Sequence, residues 1–367
     1  MNTRVLRTIH VDTERGWRGG ERQAFWLAER LARQGHRSVI AARPAEPLAE
    51  RAATAGIAII PLSPFGEMDI LAALSLRRAI VREDADIVHA HTGHAVALAA
   101  MATIGTRARM VLTRRVSFLL KRNPLSLWKY ARADAIIAVC QATADALVMS
   151  GIESARITVA YSGVDLTRVI PPASAETVAS LGVKPGVPLV VMVAALVGHK
   201  DPLTFIRAMD VARRTVPGIQ GLMVGEGNLR AEVEREIATL GLGDCVYLAG
   251  YRTDADSLMS VANVVALSSS DDGIGGVVID AMSFGKPVAA TAAGGIPEAV
   301  VNDETGILVP VGDANALGAA IARLLTDSEL ARRMGANGIR RAPLFSIDNT
   351  VDRTLDVYER VLAARAR

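Results

Sequence analysis

The chain has 367 residues, which exceeds the size at which a single hydrophobic core keeps growing, so two domains are expected. Half of the residues are hydrophobic and only 4% are aromatic, a composition typical of α/β domains in which Ala-, Val- and Leu-rich helices cover parallel strands. The formal net charge of +3 favours anionic partners such as nucleotides, phosphosugars or a lipid surface. No dense basic run is interleaved with aromatic residues, so we expect no binding to nucleic acid.

The cysteines and the N-terminal segment bear on the cellular compartment. Cys140 and Cys245 are far apart and lack metal-ligand spacing, so neither a disulfide framework nor a zinc site is indicated. Segment 1–7 is too short and too charged for a signal peptide, and no apolar run reaches the ~18 residues that a membrane span requires. We therefore expect a cytoplasmic protein, with peripheral attachment to the inner face of the membrane as a further option.

The first half of the chain alternates short β-rich runs with longer helical patterns. This alternation predicts a parallel sheet with crossover helices. The first predicted strand, 5–10, is followed by a predicted helix over 22–34. Further strands are predicted at 38–41, 57–61, 87–91, 110–113, 135–139 and 157–161.

A connection rich in Pro and Gly at 167–188 predicts a domain boundary. The α/β alternation then resumes, with strands predicted at 189–193, 221–224, 246–248, 264–267, 287–291 and 306–309. The last predicted helix, 347–364, has apolar residues at helical spacing and must pack on another element. We predict an N-terminal domain over 1–168 that includes 346–367, and a C-terminal domain over 180–345. Ligands of such sheets bind beyond the carboxyl ends of the strands, so the active site is expected in the cleft between the domains.

The strongest chemical signal is the block 268–287, which follows an apolar strand and opens a helix. Gly275 and Gly276 allow backbone amides to approach a ligand, and the helix N-terminus supplies free N–H donors and partial positive charge for a phosphate. Asp272 precedes the glycines and Asp280 lies about one turn into the helix, so two carboxylates flank one phosphate-sized position. A charged hydrogen bond that such a carboxylate accepts from a ribose or sugar hydroxyl is worth roughly 1.5–3 kcal/mol.

This block resembles the nucleotide-sugar signature of glycosyltransferase family 4, whose members have the GT-B fold. The family pattern is two Glu residues separated by seven others, the first Glu being followed by Gly. Asp272, Gly273 and Asp280 keep that spacing, with the shorter acid at both positions. Other segments resemble family landmarks in the family order: 16–21, 86–91, 160–165, 193–200, 224–227, 248–252, 293–298 and 305–309. The resemblance implies an α/β protein of two Rossmann-like domains that face each other across a cleft, with the last helix crossing back to the N-terminal domain.

The resemblance also implies roles for individual residues. Lys200 matches a family Lys that binds the donor diphosphate, whereas Ala195 stands where the family has Arg, so half of that cationic clamp is present. His91 matches the second His of a strand that faces the cleft. The catalytic residues implied are His91, Lys200 and Asp272. The donor-binding residues implied are Gly19, Gly20, Lys200, Tyr251, Arg252, Asp272, Gly273, Ile274, Gly275, Gly276, Val277 and Asp280.

The implied activity is retaining transfer of a sugar from a nucleotide diphosphate sugar, which acts as a co-substrate, to a glycan or glycolipid acceptor in cell-envelope polysaccharide, lipopolysaccharide or glycolipid synthesis. Helix amides and Lys200 would stabilise the leaving group, so neither a cofactor nor a metal is expected. Asp254 and Asp256 match the Asp-x-Asp of metal-dependent transferases only superficially. Two alternatives stay open: a sugar-nucleotide epimerase, and a catalytically degenerate partner protein.

A basic stretch without acidic residues, 87–133, indicates the acceptor side. Apolar residues are interleaved with Arg and Lys, a combination that suits an anionic acceptor or the headgroups of an anionic membrane. The alternative is a solvated basic face beside the core. The candidate acceptor or membrane residues are Arg114, Arg115, Lys121, Arg122 and Trp128.

Overall fold

The computed structural model describes residues 4–121 and 123–364, which form two compact units. The first unit contains residues up to 163 together with the C-terminal helix from 347 onward, and the second contains 164–346. None of the helices in these described ranges is long and apolar enough to cross a membrane.

Strands and helices alternate along the chain. The strands are β1 (Arg7–Val11), β2 (Arg37–Ala42), β3 (Ala58–Pro61), β4 (Ile87–Ala90), β5 (Arg109–Arg114), β6 (Ala135–Ala138), β7 (Ile157–Val159), β8 (Leu189–Val193), β9 (Gln220–Val224), β10 (Val246–Gly250), β11 (Val264–Leu267), β12 (Val288–Thr291) and β13 (Gly306–Val309). The helices are α1 (Gly19–Arg33), α2 (Pro47–Thr54), α3 (Ile70–Arg82), α4 (Gly93–Ala102), α5 (Pro124–Ala131), α6 (Gln141–Met149), α7 (Ala175–Ser180), α8 (Pro202–Thr215), α9 (Arg230–Thr239), α10 (Ala255–Ser260), α11 (Gly276–Ser283), α12 (Ile296–Ala299), α13 (Ala314–Thr326), α14 (Ser328–Arg341) and α15 (Ile347–Ala363).

The first unit is built on a parallel sheet with the strand order β3-β2-β1-β4-β5-β6-β7. Strands such as β4 are buried over their whole length, as expected for a parallel sheet that is covered on both faces. The strand order reverses between β1 and β4, which pair directly with Ile9 opposite Val88. In doubly wound sheets the carboxyl ends of the strands at such a reversal form the ligand-binding crevice.

Helix α15 belongs to the first unit, although it follows the second unit in sequence. Val351, Tyr358 and Val361 are buried in a cluster with residues of α1, β4, β5 and β6, and Leu355 and Leu362 pack on its border. The helical spacing seen in the sequence is therefore confirmed as a packing face. The Tyr358 hydroxyl lies 2.6 Å from His89 Nδ1 and so ties the helix to β4.

The second unit has the parallel strand order β10-β9-β8-β11-β12-β13, and its reversal lies between β8 and β11. Its core includes Phe205, Met209 and Ile321, which come from α8 and α13 and are fully buried. These two helices pack against each other on one side of the sheet. The segments that follow β8 and β11 carry Lys200 and the block 268–287, so the fold brings both to one edge.

Most predicted elements agree with the structure to within one or two residues, but the first helix begins earlier than predicted. Gly19 and Gly20 belong to the first turn of α1 rather than to the preceding loop. Glu21 explains the early start, because its carboxylate accepts a hydrogen bond from the backbone N–H of the cap residue Arg18 at 2.7 Å. This contact is one half of a capping box, which stabilises a helix start that two glycines would otherwise weaken.

Candidate functional site

The reversal in the second sheet places a cation and a carboxylate side by side. Lys200 lies in a short turn after β8, and Asp272 lies in the loop after β11. Lys200 Nζ is 2.5 Å from Asp272 Oδ2, and Ser269 Oγ donates to the same oxygen at 3.3 Å. Lys200 and Asp272, both of which the resemblance assigned to the donor site, therefore lie in contact with each other.

The loop that carries Asp272 is fixed by hydrogen bonds to its neighbours. Ser268 Oγ donates to the Asp201 carbonyl at 2.7 Å, and the Ser270 N–H donates to the His199 carbonyl at 2.9 Å. Gly295 N–H donates to the carbonyls of Asp272 and Gly273 at 3.2 and 2.7 Å. Anchors on both sides hold the loop in place, so Asp272 is preorganised rather than free to move.

The first turn of α11 begins at this loop. Gly275 caps the helix with φ of +68°, in the left-handed region that glycine adopts without strain. The backbone N–H groups of the first turn, which includes Gly276 and Val277, have no partner inside the helix and carry the positive end of its dipole. Ile274 is buried and anchors the turn in the core. The backbone here has the arrangement that binds phosphate in other proteins.

Asp280 lies deeper than the sequence indicated. Its side chain is only 2% exposed, and Arg168 Nη2 contacts Asp280 Oδ1 at 2.8 Å. Arg168 Nη1 also contacts Asp256 Oδ2 at 2.6 Å, and Arg168 itself is about a quarter exposed. The guanidinium of Arg168 therefore bridges α10 and α11, and sequence reasoning did not identify it.

The end of β10 carries Tyr251 and Arg252, at the edge of the sheet away from the strand reversal. The Tyr251 side chain is exposed, whereas Arg252 makes a two-point contact with Asp254, at 2.8 and 2.6 Å. The Arg252 guanidinium holds the pKa of the Asp254 carboxyl below its usual range. Because Asp254 and Asp256 are each paired with an arginine, the Asp-x-Asp sequence does not form a bare carboxylate pair.

The reversal in the first sheet brings three further groups together: Asp12 follows β1, His91 follows β4 and Arg115 follows β5. Arg115 Nη2 is 3.3 Å from His91 Nδ1, and Arg115 Nη1 donates to Ser162 Oγ at 2.9 Å. Gly20 lies beside them, since a Cβ at that position would be 3.9 Å from Arg115 Cδ. Gly20, His91 and Arg115 of the predicted set therefore share one edge, in the first unit.

A chain of hydrogen bonds fixes the protonation of His91. Arginine only donates, so His91 Nδ1 accepts from Arg115 and the ring proton of the neutral imidazole lies on Nε2. His91 Nε2 then donates to His10 Nδ1 at 3.1 Å, and His10 Nε2 donates to Thr8 Oγ1 at 3.1 Å. Burial lowers the pKa of His91 well below its ordinary value and that of His10 to about 3, which keeps both rings neutral. Both nitrogens of His91 are engaged within the protein.

His10, His89 and His91 form a group of three buried potential metal ligands in the described part of the chain. Their ring geometry does not suit a metal. The ring planes of His89 and His91 are stacked at 29° with centroids 4.2 Å apart, and those of His10 and His91 at 24° and 5.3 Å. Lone pairs lie in the ring planes, so stacked rings direct them side by side rather than toward one ion. We interpret the group as a hydrogen-bonded support for the sheet edge.

Asp12 is a completely buried carboxylate at the same edge. Burial raises its pKa to about 7, and the nearby Glu21 adds to this shift. Asp12 Oδ1 accepts from the Glu14 N–H at 3.2 Å, whereas Oδ2 has no hydrogen-bond partner within 4–121 and 123–364. Its position directly after β1 was a usable sequence signal, since residues that follow adjoining strands of a parallel sheet meet at one edge.

The residues predicted for the acceptor or the membrane do not share one surface. Arg114 is buried and donates to the Tyr130 hydroxyl at 2.8 Å, and Arg115 lies at the sheet edge described above. Trp128 is half-buried against the core, and Lys121 is exposed. Arg122 lies outside the described residues. The exposed side chains of this stretch include the apolar Phe118, Leu119 and Leu127 and the basic Arg107, Lys121 and Arg132.

Comparison with known proteins identifies the class. Two family descriptions match: Glycosyltransferase Family 4 over residues 17–168 and Glycosyl transferases group 1 over residues 174–341. A structure of HepE from Anabaena in complex with UDP and glucose superimposes with a TM-score of 0.85 at 21% identity, over 96% of this chain and 99% of that one. A structure of a glycosyltransferase from Rickettsia africae superimposes with a TM-score of 0.85 at 21% identity, over 98% of this chain and 99% of that one. The chain thus has the GT-B fold, as the resemblance implied.

Sequence relatives agree with this class. The D-inositol 3-phosphate glycosyltransferase of Segniliparus rotundus is 32% identical over 64% of this chain and 54% of that protein. The 2-deoxystreptamine N-acetyl-D-glucosaminyltransferase of Streptomyces fradiae is 29% identical over 77% of this chain and 72% of that protein. The chain spans about half the length of the curated inositol phosphate relatives it matches. It belongs to the group 1 glycosyltransferases, the family 4 type.

Proposed function

We propose that this protein is a retaining glycosyltransferase that transfers a sugar from a nucleotide diphosphate sugar, without a metal, to an acceptor of cell-envelope polysaccharide, lipopolysaccharide or glycolipid synthesis. The main support is the position of Lys200 and Asp272 at the strand reversal, directly before the N-terminus of α11. A diphosphate bound there would meet one ammonium group and the free N–H groups of a helix.

Charge considerations explain why this site suits the departure of a nucleoside diphosphate. Negative charge develops on the diphosphate as the bond to the sugar breaks, and fixed positive groups stabilise it without reorganisation. Lys200 and the α11 dipole supply that charge at one point. Asp272 holds the lysine in place and would accept hydrogen bonds from donor hydroxyls.

We propose UDP as the nucleotide portion. This choice rests on HepE of Anabaena, whose structures contain UDP and UDP-glucose. The relatives also indicate a class of acceptor, because inositol phosphate and 2-deoxystreptamine are both polyhydroxylated rings. A polyhydroxylated ring or sugar is therefore the acceptor to test first.

A peripheral membrane contact is a further part of the proposal. Exposed apolar side chains lie in the loop before α3 and in its first turn, where Phe65, Ile70 and Leu71 are more than 60% exposed. The ion pair between Lys129 and Glu67, at 2.9 Å, ties this segment to α5, whose neighbouring stretch exposes further apolar residues and Lys121. Apolar groups beside basic ones suit an anionic bilayer. Failure to sediment with anionic liposomes at low salt would remove the membrane part.

Nucleotide binding measured by thermal shift tests the donor site. Wild type is compared with Lys200→Ala against UDP, GDP and ADP, each with and without EDTA. We expect one nucleotide to raise the melting temperature, EDTA to leave the rise unchanged and Lys200→Ala to abolish it. Lys184→Ala is the matched control, because Lys184 is an exposed lysine of the same unit. No shift with any nucleotide would favour a binding-only partner protein, and sugar release without acceptor would favour an epimerase.

A further inference from the structure

The edge of the first sheet holds a cation that lacks an ion pair. Arg115 is half-buried, and no carboxylate oxygen of the described residues lies within ion-pairing distance of its guanidinium. Its contacts are the neutral His91 ring and the Ser162 hydroxyl, and its Nε is buried without a partner. Burial disfavours the guanidinium charge, and Asp12 and Glu21 offset this only without direct contact, so an anion bound in contact with Arg115 would stabilise the charge further.

The surroundings of Arg115 position it for a ligand. The hydrogen-bond chain from Thr8 through His10 to His91 fixes the imidazole that holds one Nη, and Ser162 holds the other. Gly20, in the first turn of α1, presents no side chain toward Arg115, since even a Cβ there would be only 3.9 Å from Arg115 Cδ. The cation also lies at the strand reversal, where doubly wound sheets bind ligands.

We propose that Arg115 binds an anionic group, a phosphate or a carboxylate, carried by the sugar or polyol that enters the carboxyl edge of the first sheet. The ligand is a substrate of the proposed transfer, so this inference rests on the proposed function. The planar guanidinium matches both oxyanions. His91 and Ser162 are positioning residues, since each acts through Arg115.

Asp12 couples this site to protons. Glu21 and Glu14 oppose the ionisation of its carboxyl and Arg115 favours it, with burial as the largest influence, so that its pKa is about 7. Burial lowers the pKa of Arg115 to about 10, which leaves the guanidinium charged at neutral pH. An anion bound at Arg115 opposes the Asp12 charge, and Asp12 takes up a proton as the anion binds. The affinity for a carboxylate ligand, whose own charge does not change near neutral pH, is therefore expected to fall as pH rises through 7.

Ligand-detected NMR tests the proposal with inorganic phosphate, glucose 6-phosphate, glucuronate and uncharged glucose. The measurements use full-length protein carrying Lys200→Ala, so that phosphate bound in the second unit does not contribute. We expect both sugar anions to bind more tightly than glucose, and Arg115→Gln to weaken them by about 10- to 100-fold. Arg78→Gln, an exposed arginine of the same unit, is expected to change nothing. Preference for glucose 6-phosphate or for glucuronate identifies the oxyanion.

Two further variants keep the test decisive if Arg115→Gln does not fold. Arg115→Lys retains the charge and is expected to bind with intermediate affinity, while Ser162→Ala removes one positioning contact and weakens anion binding several-fold. Asp12→Asn is expected to abolish the pH dependence of glucuronate affinity near pH 7, where the ligand itself stays a monoanion. Equal affinity for glucose and its anions, or unchanged affinity in the Arg115 variants, would overturn the proposal. Nucleotide binding by protein with intact Lys200 remains in either case, so this failure is distinguishable from failure of the donor site.

Discussion

Asp12 illustrates how burial of one side chain makes stability depend on pH. Its pKa is about 7 in the folded protein and about 4 when the chain unfolds. Between these values the native state binds a proton that the unfolded state does not, so this group's contribution to the free energy of unfolding falls as pH rises from 4 to 7 and is constant above 7. Asp12→Asn is expected to stabilise the protein at pH 8 by up to about 4 kcal/mol, and by much less at pH 5.

Urea unfolding of wild type and variant at the two pH values measures this difference. The buried histidines act in the opposite direction, since their lowered pKa values destabilise the fold as pH falls below about 6.5. That effect is common to both proteins and cancels in the comparison. Asp352→Asn serves as control, because Asp352 is an exposed acid on the C-terminal helix of the same unit. If Asp12→Asn raised the free energy of unfolding by the same amount at pH 5 and pH 8, Asp12 would not be protonated in the native state.

At the scale of elements, the loop before α11 depends on the close approach of a second loop. Gly294 has φ of +50°, and a Cβ on it would lie 1.9 Å from the Asp272 carbonyl oxygen. Gly294→Ala must therefore displace Asp272 from Lys200. We expect nucleotide affinity to fall by at least about tenfold, because a misplaced charged hydrogen bond costs roughly 1.5–3 kcal/mol. Isothermal titration with UDP measures the loss.

Gly243→Ala is the control for this loop, since a Cβ at Gly243 meets no atom within 4 Å and its φ is not positive. Circular dichroism confirms that both variants keep their secondary structure. Full nucleotide affinity in Gly294→Ala would mean that the donor binds to a different position of this loop.

The sequence predicted those features that depend on local patterns. Strand and helix positions follow from apolar periodicity, and the spacing of Asp272, the glycines and Asp280 located α11 correctly. The sequence did not reveal which side chains are exposed to a ligand at the carboxyl edge of each sheet. Asp280 and His91 are both buried, and each holds an arginine, Arg168 or Arg115, that is more exposed. Such pairs join residues more than 20 positions apart, so they depend on strand order and not on any local pattern.

Neighbouring residues in sequence can also have opposite environments. Arg114 and Arg115 were placed together as a basic surface, but successive side chains at a strand end point to opposite faces. Arg114 contacts Tyr130 of α5, while Arg115 lies beside Gly20 of α1. The two neighbouring arginines therefore do not form one basic surface near α5.

At the scale of the whole molecule, both units follow one design: a parallel sheet whose strand order reverses, with charged groups at the carboxyl ends of the reversing strands. Lys200 and Asp272 occupy that position in the second sheet, and Asp12 and Arg115 occupy it in the first. The proposed nucleotide site and the proposed anion site thus lie on separate sheets, each with its own hydrophobic core.

This division predicts that nucleotide stabilises one unit selectively. All three tryptophans, Trp17, Trp26 and Trp128, belong to the first unit, whereas Lys200 belongs to the second. In urea unfolding, tryptophan fluorescence therefore follows the first unit and far-UV circular dichroism follows both. UDP at about 100 times its Kd should stabilise the second unit by about 2.7 kcal/mol. The unfolding transition of that unit, seen by circular dichroism, should then shift to higher urea concentration, while the tryptophan fluorescence transition stays where it was. The Lys200→Ala variant should lose this shift. If UDP moved the tryptophan transition equally, either the first unit would bind the nucleotide or both units would unfold as one cooperative system.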